Sequence, residues 1–415
     1  MVCKVLEFYS AGKCIKCLIC QITTSELYTR TRHTAASKIC DCLFRPLFDF
    51  LKRILLRLDI CQSIIKDIQV VFSSIQIVAL KTESSKDVRQ PIDCKMADDH
   101  PDGTTNSMAS VAAGDGEGAR VFLWCIPRTV STALTKCLSF IDGMEVWFEP
   151  YVYCKLTTFE VKHATGQDIP MELDGNEEIF AKATELMRKM TGTNIQTDRI
   201  AYANVKKQLE TRRGKHVFVK DMGFGVDKKT RSYLPWGYRH TFLIRSPERT
   251  VYSFRNTYLK HFRKRGILSE SATKTFNLKR DCFHMSPGYY VRDVYDMWNY
   301  VRDEIDPNPI VIDTDDLLNN PRVMLRKYCE LVGLPFSESL LQWDASMDIC
   351  KTWKQCADDM IFKMANFYGR AVHSSSFMPN SDPLPREKMT SDVIDGIEET
   401  MKYYHEMYEH RITPL

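Results

Sequence analysis

Five short apolar segments, separated by stretches with helical spacing of apolar residues, most constrain what this chain can fold into. They lie at residues 121–126, 144–148, 216–220, 240–245 and 309–313, and each is five or six residues long. Short continuous apolar strands that alternate with helices are typical of a parallel sheet covered by helices on both faces. Ligands of such sheets bind at the carboxyl ends of the strands, so we expect the functional residues just after these segments.

Helices are predicted between the strands, and the fold class is therefore α/β. Gly333 and Pro335 end one of these helices, since glycine and proline are common stop signals. We predict three layers, with a central, mostly parallel sheet flanked by helices. The predicted helices are 131–140, 177–191, 200–213, 247–262, 287–304 and 321–332, with a short helix near Lys228 and a terminal helix to about residue 410.

Differences in composition divide the chain into three parts. Residues 1–80 are predicted to form a Cys-rich, partly helical extension. Residues 81–118 are rich in Ser, Asp, Gly and Thr, which predicts a disordered linker. Residues 119–415 are predicted to form one domain. Because Met96 is followed by a polar leader, the residues before it are expected to be dispensable or absent from the main product.

The extension raises the questions of metal binding and membrane contact. Cys14, Cys17 and Cys20 lack a closing partner for a four-ligand zinc site, so no metal site is predicted. Residues 43–58 have the pattern of a basic amphipathic helix, which either lies on a membrane surface or, as we prefer, packs as an ordinary helix. The longest uncharged apolar run, residues 68–80, is shorter than the roughly 17 residues that span a bilayer.

The net charge and the distribution of cysteines limit which partners and which cellular compartment we expect. A net charge of +4 on 415 residues gives no argument for a nucleic-acid partner, and none is predicted. The later members of the 15 cysteines are scattered among apolar residues, which is typical of reduced, buried thiols in a cytoplasmic protein. The sequence gives no oligomeric state.

The first functional candidate is the loop that follows the segment at 121–126 and runs into the next helix. A loop of this kind points backbone N–H groups and the positive end of the helix dipole at one position, which suits a phosphate or sulfate. Arg128 adds a positive charge, and Ser131 and Thr132 add hydroxyl donors. The loop lacks the glycines and the lysine of an ATP-binding P-loop. The alternative is a plain turn with Ser131 as the N-cap.

A second candidate follows the segment at 240–245. Arg245 and Ser253 are eight residues apart, and a helix that begins at Pro247 would place the serine roughly 9 Å along its axis. An arginine folded back beside this helix could share an anion with the hydroxyl. The alternative is a structural salt bridge and a small packing residue. Two such sites on neighbouring strand ends indicate a ligand with two separated phosphates.

The order and spacing of these motifs resemble the two cofactor signatures of the sulfotransferases that use 3′-phosphoadenosine-5′-phosphosulfate (PAPS). The segment "VIDTDDLLNNPRVMLRKYCELVGLPF" is also similar to that family's closing strand, loop and helix, so the resemblance covers residues 120–336. It implies a P-loop-like sulfotransferase fold with PAPS as the cofactor. It also implies that Arg245 and Ser253 hold the 3′-phosphate. The residues that it assigns to the 5′-phosphosulfate are Arg128, Thr129, Val130, Ser131, Thr132 and Ala133.

The loop departs from this family at Thr129 and Val130, where a serine or threonine followed by glycine is common. A β-branched residue strongly disfavours a positive φ. We therefore expect either that Val130 keeps a negative φ or that cofactor binding is impaired.

The resemblance also suggests which residues act on the acceptor. Phe148, Glu149 and Pro150 match a motif of the carbohydrate-type members, so Glu149 is the predicted base. The alternative is that Glu149 pairs with a neighbouring arginine or caps a helix. Lys220 and Asp221 lie where small-molecule members carry Lys-x-His, but position 222 is Met, which argues against a histidine base. Lys220 could contact the transferring group, and Asp221 could orient it or be the base.

The predicted function is transfer of a sulfuryl group from PAPS to a hydroxyl acceptor, a sugar or a small alcohol, by in-line displacement with a carboxylate base. The first alternative is a catalytically inactive module that binds PAPS or its product 3′-phosphoadenosine-5′-phosphate (PAP). The second, which the missing lysine and glycines disfavour, is a phosphoryl-transfer enzyme.

Overall fold

The computed structural model describes residues 118–212, 214–264, 266, 268–282, 285–286, 288–380 and 384–414. The predictions for the N-terminal extension, for its basic helix and cysteine triplet, and for the linker up to residue 117 lie outside these residues.

A five-stranded sheet forms the centre of the described region, and every neighbouring pair of strands is parallel. The order of the strands across the sheet is β2-β3-β1-β4-β5. Cys125, at the end of β1, lies level with Met222 of β3 and Leu243 of β4, so these three strands end at one edge. The strands are β1 (Arg120–Cys125), β2 (Met144–Phe148), β3 (His216–Met222), β4 (Arg239–Ile244) and β5 (Ile310–Asp313).

Helices cover both faces of this sheet. The clearest evidence is the alternation along β1, since side chains of successive strand residues point to opposite faces. Val121 and Leu123 pack into one apolar cluster, while Phe122 and Trp124 pack into another. The predicted three-layer α/β architecture with a parallel sheet is therefore confirmed.

Most helices lie close to their predicted positions. In the described part of the chain, no helix combines the length and apolar composition that crossing a bilayer requires. The helices are α1 (Ser131–Leu138), α2 (Pro150–Thr165), α3 (Glu177–Thr191), α4 (Tyr202–Glu210), α5 (Pro247–Lys264), α6 (Glu270–Lys274), α7 (Leu278–Asp281), α8 (Val291–Glu304), α9 (Thr314–Asn319), α10 (Pro321–Val332), α11 (Met360–Lys363), α12 (Ala365–Val372) and α13 (Ser391–Glu409).

Two helix predictions need correction. The short helix expected near Lys228 is a turn between two 3-10 segments, Gly223–Gly225 and Arg231–Tyr233. The helix expected from residue 287 begins at Val291, because its N-cap, Tyr290, has a φ of 66° and a left-handed residue cannot continue a right-handed helix.

The strand order places a crevice beside the carboxyl end of β1. From β1 the chain passes through α1 to β2 at one edge of the sheet, returns to β3, and only then crosses to β4 on the other side of β1. Parallel sheets bind ligands where the strand order reverses in this way. The loops after β1, β2, β3 and β4 therefore meet at the position where the sequence predicts the functional residues.

Candidate active site

The loop between β1 and α1 exposes a set of backbone donors. The helix begins at Ser131, its N-cap is Val130, and no side chain caps it, so the alternative of a turn capped by Ser131 is wrong. The N–H groups of Val130, Ser131 and Thr132 find no acceptor among the described residues. Unpaired N–H groups at the start of a helix attract anions. The loop therefore presents three backbone donors at the position where the sequence predicts an anion site.

The backbone of this loop is strained. Arg128 has a φ of 73° and Val130 a φ of 65°, so the expectation that Val130 keeps a negative φ is wrong. The residue between them, Thr129, is fully buried and donates through its hydroxyl to the carbonyl of Ile126 at 2.8 Å. Thr314 of α9 donates to the Thr129 carbonyl, also at 2.8 Å. These contacts hold the loop in a conformation that the side chain of Val130 disfavours.

We expect Val130→Gly to be more stable than Val130→Ala by about 1 kcal/mol. Both substitutions remove the packing of Val130 on the core. Only glycine removes the left-handed strain, which outweighs its larger loss of entropy on folding. Urea unfolding of the two variants gives the difference. The opposite ranking would mean that position 130 does not keep its positive φ in solution.

The second predicted segment meets the loop. Arg128 donates from Nε to Ser253 Oγ of α5 at 3.1 Å. Arg245, which follows β4, donates from NH1 to the carbonyl of Arg128 at 3.2 Å. The structure thus brings together three residues that span 125 positions of the sequence. The two predicted anion sites are therefore adjacent. Burial lowers the pKa of Arg128, and the nearby Arg245 charge acts in the same direction.

Arg245 has two further partners, which sequence reasoning missed. Its Nε lies 3.3 Å from Asp315 of α9, and its NH2 donates to Asn380 Oδ1 at 2.6 Å. Asp315 also pairs with Arg249 at 3.0 Å. Asp315 thus places one negative charge between two guanidinium groups. Asp315 follows β5, so the expectation that functional residues lie just after the strands could have identified it. Nothing in the sequence indicated Asn380.

Glu149 lies in a left-handed backbone conformation at the junction of β2 and α2, with a φ of 58°. Its side chain is 1% exposed, and Oε1 forms an ion pair with Lys220 of β3, which is 2% exposed. The hydroxyl of Tyr368 on α12 donates to Oε2 at 2.7 Å. The predicted base and the predicted lysine are therefore in direct contact, and the tyrosine is a site residue that the sequence did not reveal.

Asp221 serves a different part of the fold. Its carboxylate accepts from the backbone N–H groups of Tyr151 at 2.6 Å and Val152 at 3.3 Å, in the first turn of α2, and from Met222 at 2.8 Å. Burial raises the pKa of Asp221 to about 8, although these donors act in the opposite direction. Asp221 thus caps the helix that follows Glu149, which gives it a structural role beside the site.

The segment around α12 covers the loop and Glu149. Next to Tyr368, the carbonyl of Phe367 accepts from Arg128 NH1 at 2.8 Å. Lys136 of α1 is fully buried and donates to the carbonyls of Val372 at 2.6 Å and Ser374 at 2.9 Å. Lysines near a helix C terminus stabilise its last carbonyls. The tail of the chain therefore forms one wall of the site.

Residues 302–411 match the model of a known family, the Sulfotransferase domain. This match supports the predicted resemblance at the level of the family, and it leaves the likeness to the carbohydrate-type members a prediction. The matched segment contains β5 and the helices after it, and with them Asp315, Tyr368 and Asn380. The loop with Arg128 and the segment with Arg245 precede it.

Two curated relatives come from Arabidopsis thaliana. "Branched-chain-amino-acid aminotransferase-like protein 2" is 26% identical over 227 residues, which cover 54% of this chain and 32% of the relative. "Branched-chain-amino-acid aminotransferase-like protein 1" is 24% identical over 287 residues, which cover 69% of this chain and 41% of the relative. The chain therefore spans less than half the length of these curated relatives.

Two of the solved structures that align with this chain are sulfotransferases. The sulfotransferase domain of the Synechococcus olefin synthase is 18% identical, with a TM-score of 0.32, and the alignment covers 69% of this chain and 96% of that domain. A mouse sulfotransferase complexed with PAP is 12% identical, with a TM-score of 0.33, and the alignment covers 70% of this chain and 87% of that protein.

Proposed function

We propose that this chain, whose residues 302–411 match the model of the Sulfotransferase domain, transfers a sulfuryl group from PAPS to the hydroxyl of a sugar or small alcohol. The observation that carries the proposal is the contact between the two anion-binding segments, the 3.1 Å hydrogen bond from Arg128 to Ser253. Arg245 lies beside it, at 3.2 Å from the Arg128 carbonyl. This arrangement suits a nucleotide with one phosphate on each side of its ribose.

The residues of the site fit PAPS. The unpaired N–H groups at residues 130–132 and the charge of Arg128 would hold the 5′-phosphosulfate. Arg245 and Ser253 would hold the 3′-phosphate, with Arg245 released from Asp315. Bound there, PAPS supplies the sulfuryl group and a phosphate leaving group.

Glu149 is proposed as the base that takes the proton of the acceptor hydroxyl. Its carboxylate lies at the strand edge that also carries the anion loop, and Lys220 holds one of its oxygens. The ammonium of Lys220 pairs with the carboxylate of Glu149, and it would stabilise negative charge on a group that transfers beside it. Backbone donors and arginines would neutralise the leaving phosphate, while the buried strand ends exclude water.

The inactive binding module is the second candidate, and specific observations favour it. Both oxygens of Glu149 are already bonded, and Arg245 already has an acidic partner. Val130 also holds the loop in a strained conformation, where the family commonly has glycine. A phosphoryl-transfer enzyme has less support, because Lys136 of α1 donates to carbonyls of the chain and not toward the loop.

Calorimetric titration of the full chain with PAP and with ATP tests the proposal. We expect PAP to bind and ATP to bind more weakly, since the second anion site suits a 3′-phosphate that ATP lacks. Transfer from labelled PAPS to a panel of sugars and alcohols then separates an enzyme from an inactive module. Absence of PAP binding, or a tighter complex with ATP, contradicts the proposed function.

The proposed partners are small hydroxyl compounds, with no nucleic acid. We also propose a cytoplasmic location, which the free, buried cysteines of the described region support.

A further inference from the structure

The carboxylate of Glu149 is closed off from solvent by two partners. Lys220 occupies Oε1, and the Tyr368 hydroxyl donates to Oε2 at 2.7 Å. The side chain of Glu149 is 1% exposed. A base must come within hydrogen-bond distance of the proton that it removes. An acceptor can therefore reach Glu149 only if one of these partners gives way.

Lys220 is held in place by the sheet. It belongs to β3, which is hydrogen-bonded to β2 on one side and to β1 on the other. Its carbonyl accepts from the N–H of Glu149 at 2.7 Å, and its ammonium lies 4.7 Å from the centre of the Phe148 ring. Moving Lys220 would break the centre of the fold and leave two buried charges unpaired.

Tyr368, unlike Lys220, does not belong to the sheet. It lies on α12, a helix of eight residues outside the sheet, and the residue as a whole is intermediate in burial. Its ring packs edge-on against Phe148, with the ring centres 5.3 Å apart. A rotation about the side-chain bonds of Tyr368 would free Oε2 without disturbing any strand.

We propose that Tyr368 occupies the position of the acceptor hydroxyl at Glu149, shields the base from water in the absence of an acceptor, and is displaced when an acceptor binds. This inference rests on the proposed function, in which Glu149 is the base. The phenol makes the contact that an acceptor would make, an O–H donor at 2.7 Å from the same carboxylate oxygen. Burial and the neighbouring Glu149 charge raise the pKa of Tyr368, so it stays protonated and remains a donor.

The shield protects PAPS from hydrolysis. If water reaches Glu149, the oxygen of the water bonds to the sulfur of PAPS. At the same time, the bond from this sulfur to the bridging oxygen of the 5′-phosphate breaks. Glu149 takes one proton of the water, and the products are PAP and sulfate, which releases its second proton to solvent. A displaceable tyrosine thus reserves Glu149 for acceptors whose binding displaces the ring.

The test measures conversion of PAPS to PAP without any added acceptor, in the full chain and in Tyr368→Phe. The variant keeps the ring on Phe148 and removes the donor, so we expect conversion to rise about tenfold, the effect of losing one hydrogen bond to a charged group. Tyr295→Phe is the matched control, since Tyr295 donates to Glu406 at the same 2.7 Å outside the site. Its conversion is expected to equal that of the unchanged chain.

Further measurements separate this inference from the proposed function. PAP affinity, measured by calorimetry, is expected to stay unchanged in Tyr368→Phe. Unchanged or reduced conversion with intact PAP binding overturns the shield and leaves the proposed function standing, whereas absence of PAP binding in the unchanged chain overturns the proposed function itself. Sulfate found on Tyr368 by mass spectrometry would make it an acceptor and would also overturn the shield. If Tyr368→Phe unfolds, Tyr368→Leu is used to test for the same rise in conversion of PAPS to PAP.

Discussion

Replacing Glu149 by Gln is expected to reduce sulfuryl transfer by about 10²- to 10⁴-fold, the usual contribution of a positioned general base. The amide has nearly the shape of the carboxylate and can still accept from Lys220, but it cannot take the proton of an acceptor hydroxyl. PAP affinity should be retained, because the two anion-binding segments, with Arg128 and Arg245, do not depend on Glu149. Single-turnover transfer from labelled PAPS and calorimetry with PAP measure the two quantities.

A matched control lies on the same strand. Glu145 accepts from Trp147 Nε1 at 2.7 Å and pairs with Arg212 at 3.2 Å, at the opposite end of β2 from Glu149. Glu145→Gln is expected to leave transfer unchanged. Loss of the buried charge opposite Lys220 also costs stability, so thermal unfolding must show that the Glu149 variant is folded under assay conditions. Undiminished transfer in folded Glu149→Gln would reject Glu149 as the base.

Much of this site was predictable because the ligands of a parallel sheet bind at the carboxyl ends of its strands. Arg128, Glu149, Lys220 and Arg245 come from four separate segments of the sequence, and each lies at or just after a short apolar run. Because the carboxyl ends of parallel strands meet at one edge, identifying the strands was enough to place these residues near one another. Asp221 lies at the same edge but points its carboxylate at the first turn of α2, a difference that spacing alone does not reveal.

The parts that were missed depend on long-range packing or on backbone strain. Tyr368 lies 219 positions from Glu149, on a helix whose position no local pattern fixes. The conformation of Val130 contradicts local preference, because contacts from Ile126 and Thr314 fix its neighbour Thr129. Local rules tend to fail at functional sites, where the surrounding structure imposes a strained conformation.

Replacing Arg245 by Ala is expected to weaken PAP binding by about 2 to 3 kcal/mol, the scale of a lost hydrogen bond to a charged group. This corresponds to a roughly 30- to 150-fold larger Kd. In the proposed complex Arg245 contacts the 3′-phosphate, which AMP lacks. The affinity for AMP should therefore change little, and the difference between the two ligands isolates the contact, as in a double-mutant cycle. Calorimetry with PAP and AMP on both proteins supplies the four affinities.

Arg249→Ala is the matched control for Arg245→Ala, because both arginines pair with Asp315, at 3.0 Å and 3.3 Å respectively. If the two arginines contribute only positive charge to the site, the two variants should weaken PAP binding equally and should weaken AMP binding as well. If Arg245 contacts the 3′-phosphate, only Arg245→Ala should reduce the preference for PAP over AMP. An equal loss for both nucleotides in Arg245→Ala would reject the assignment of the 3′-phosphate to this residue, since a specific contact requires the phosphate to be present.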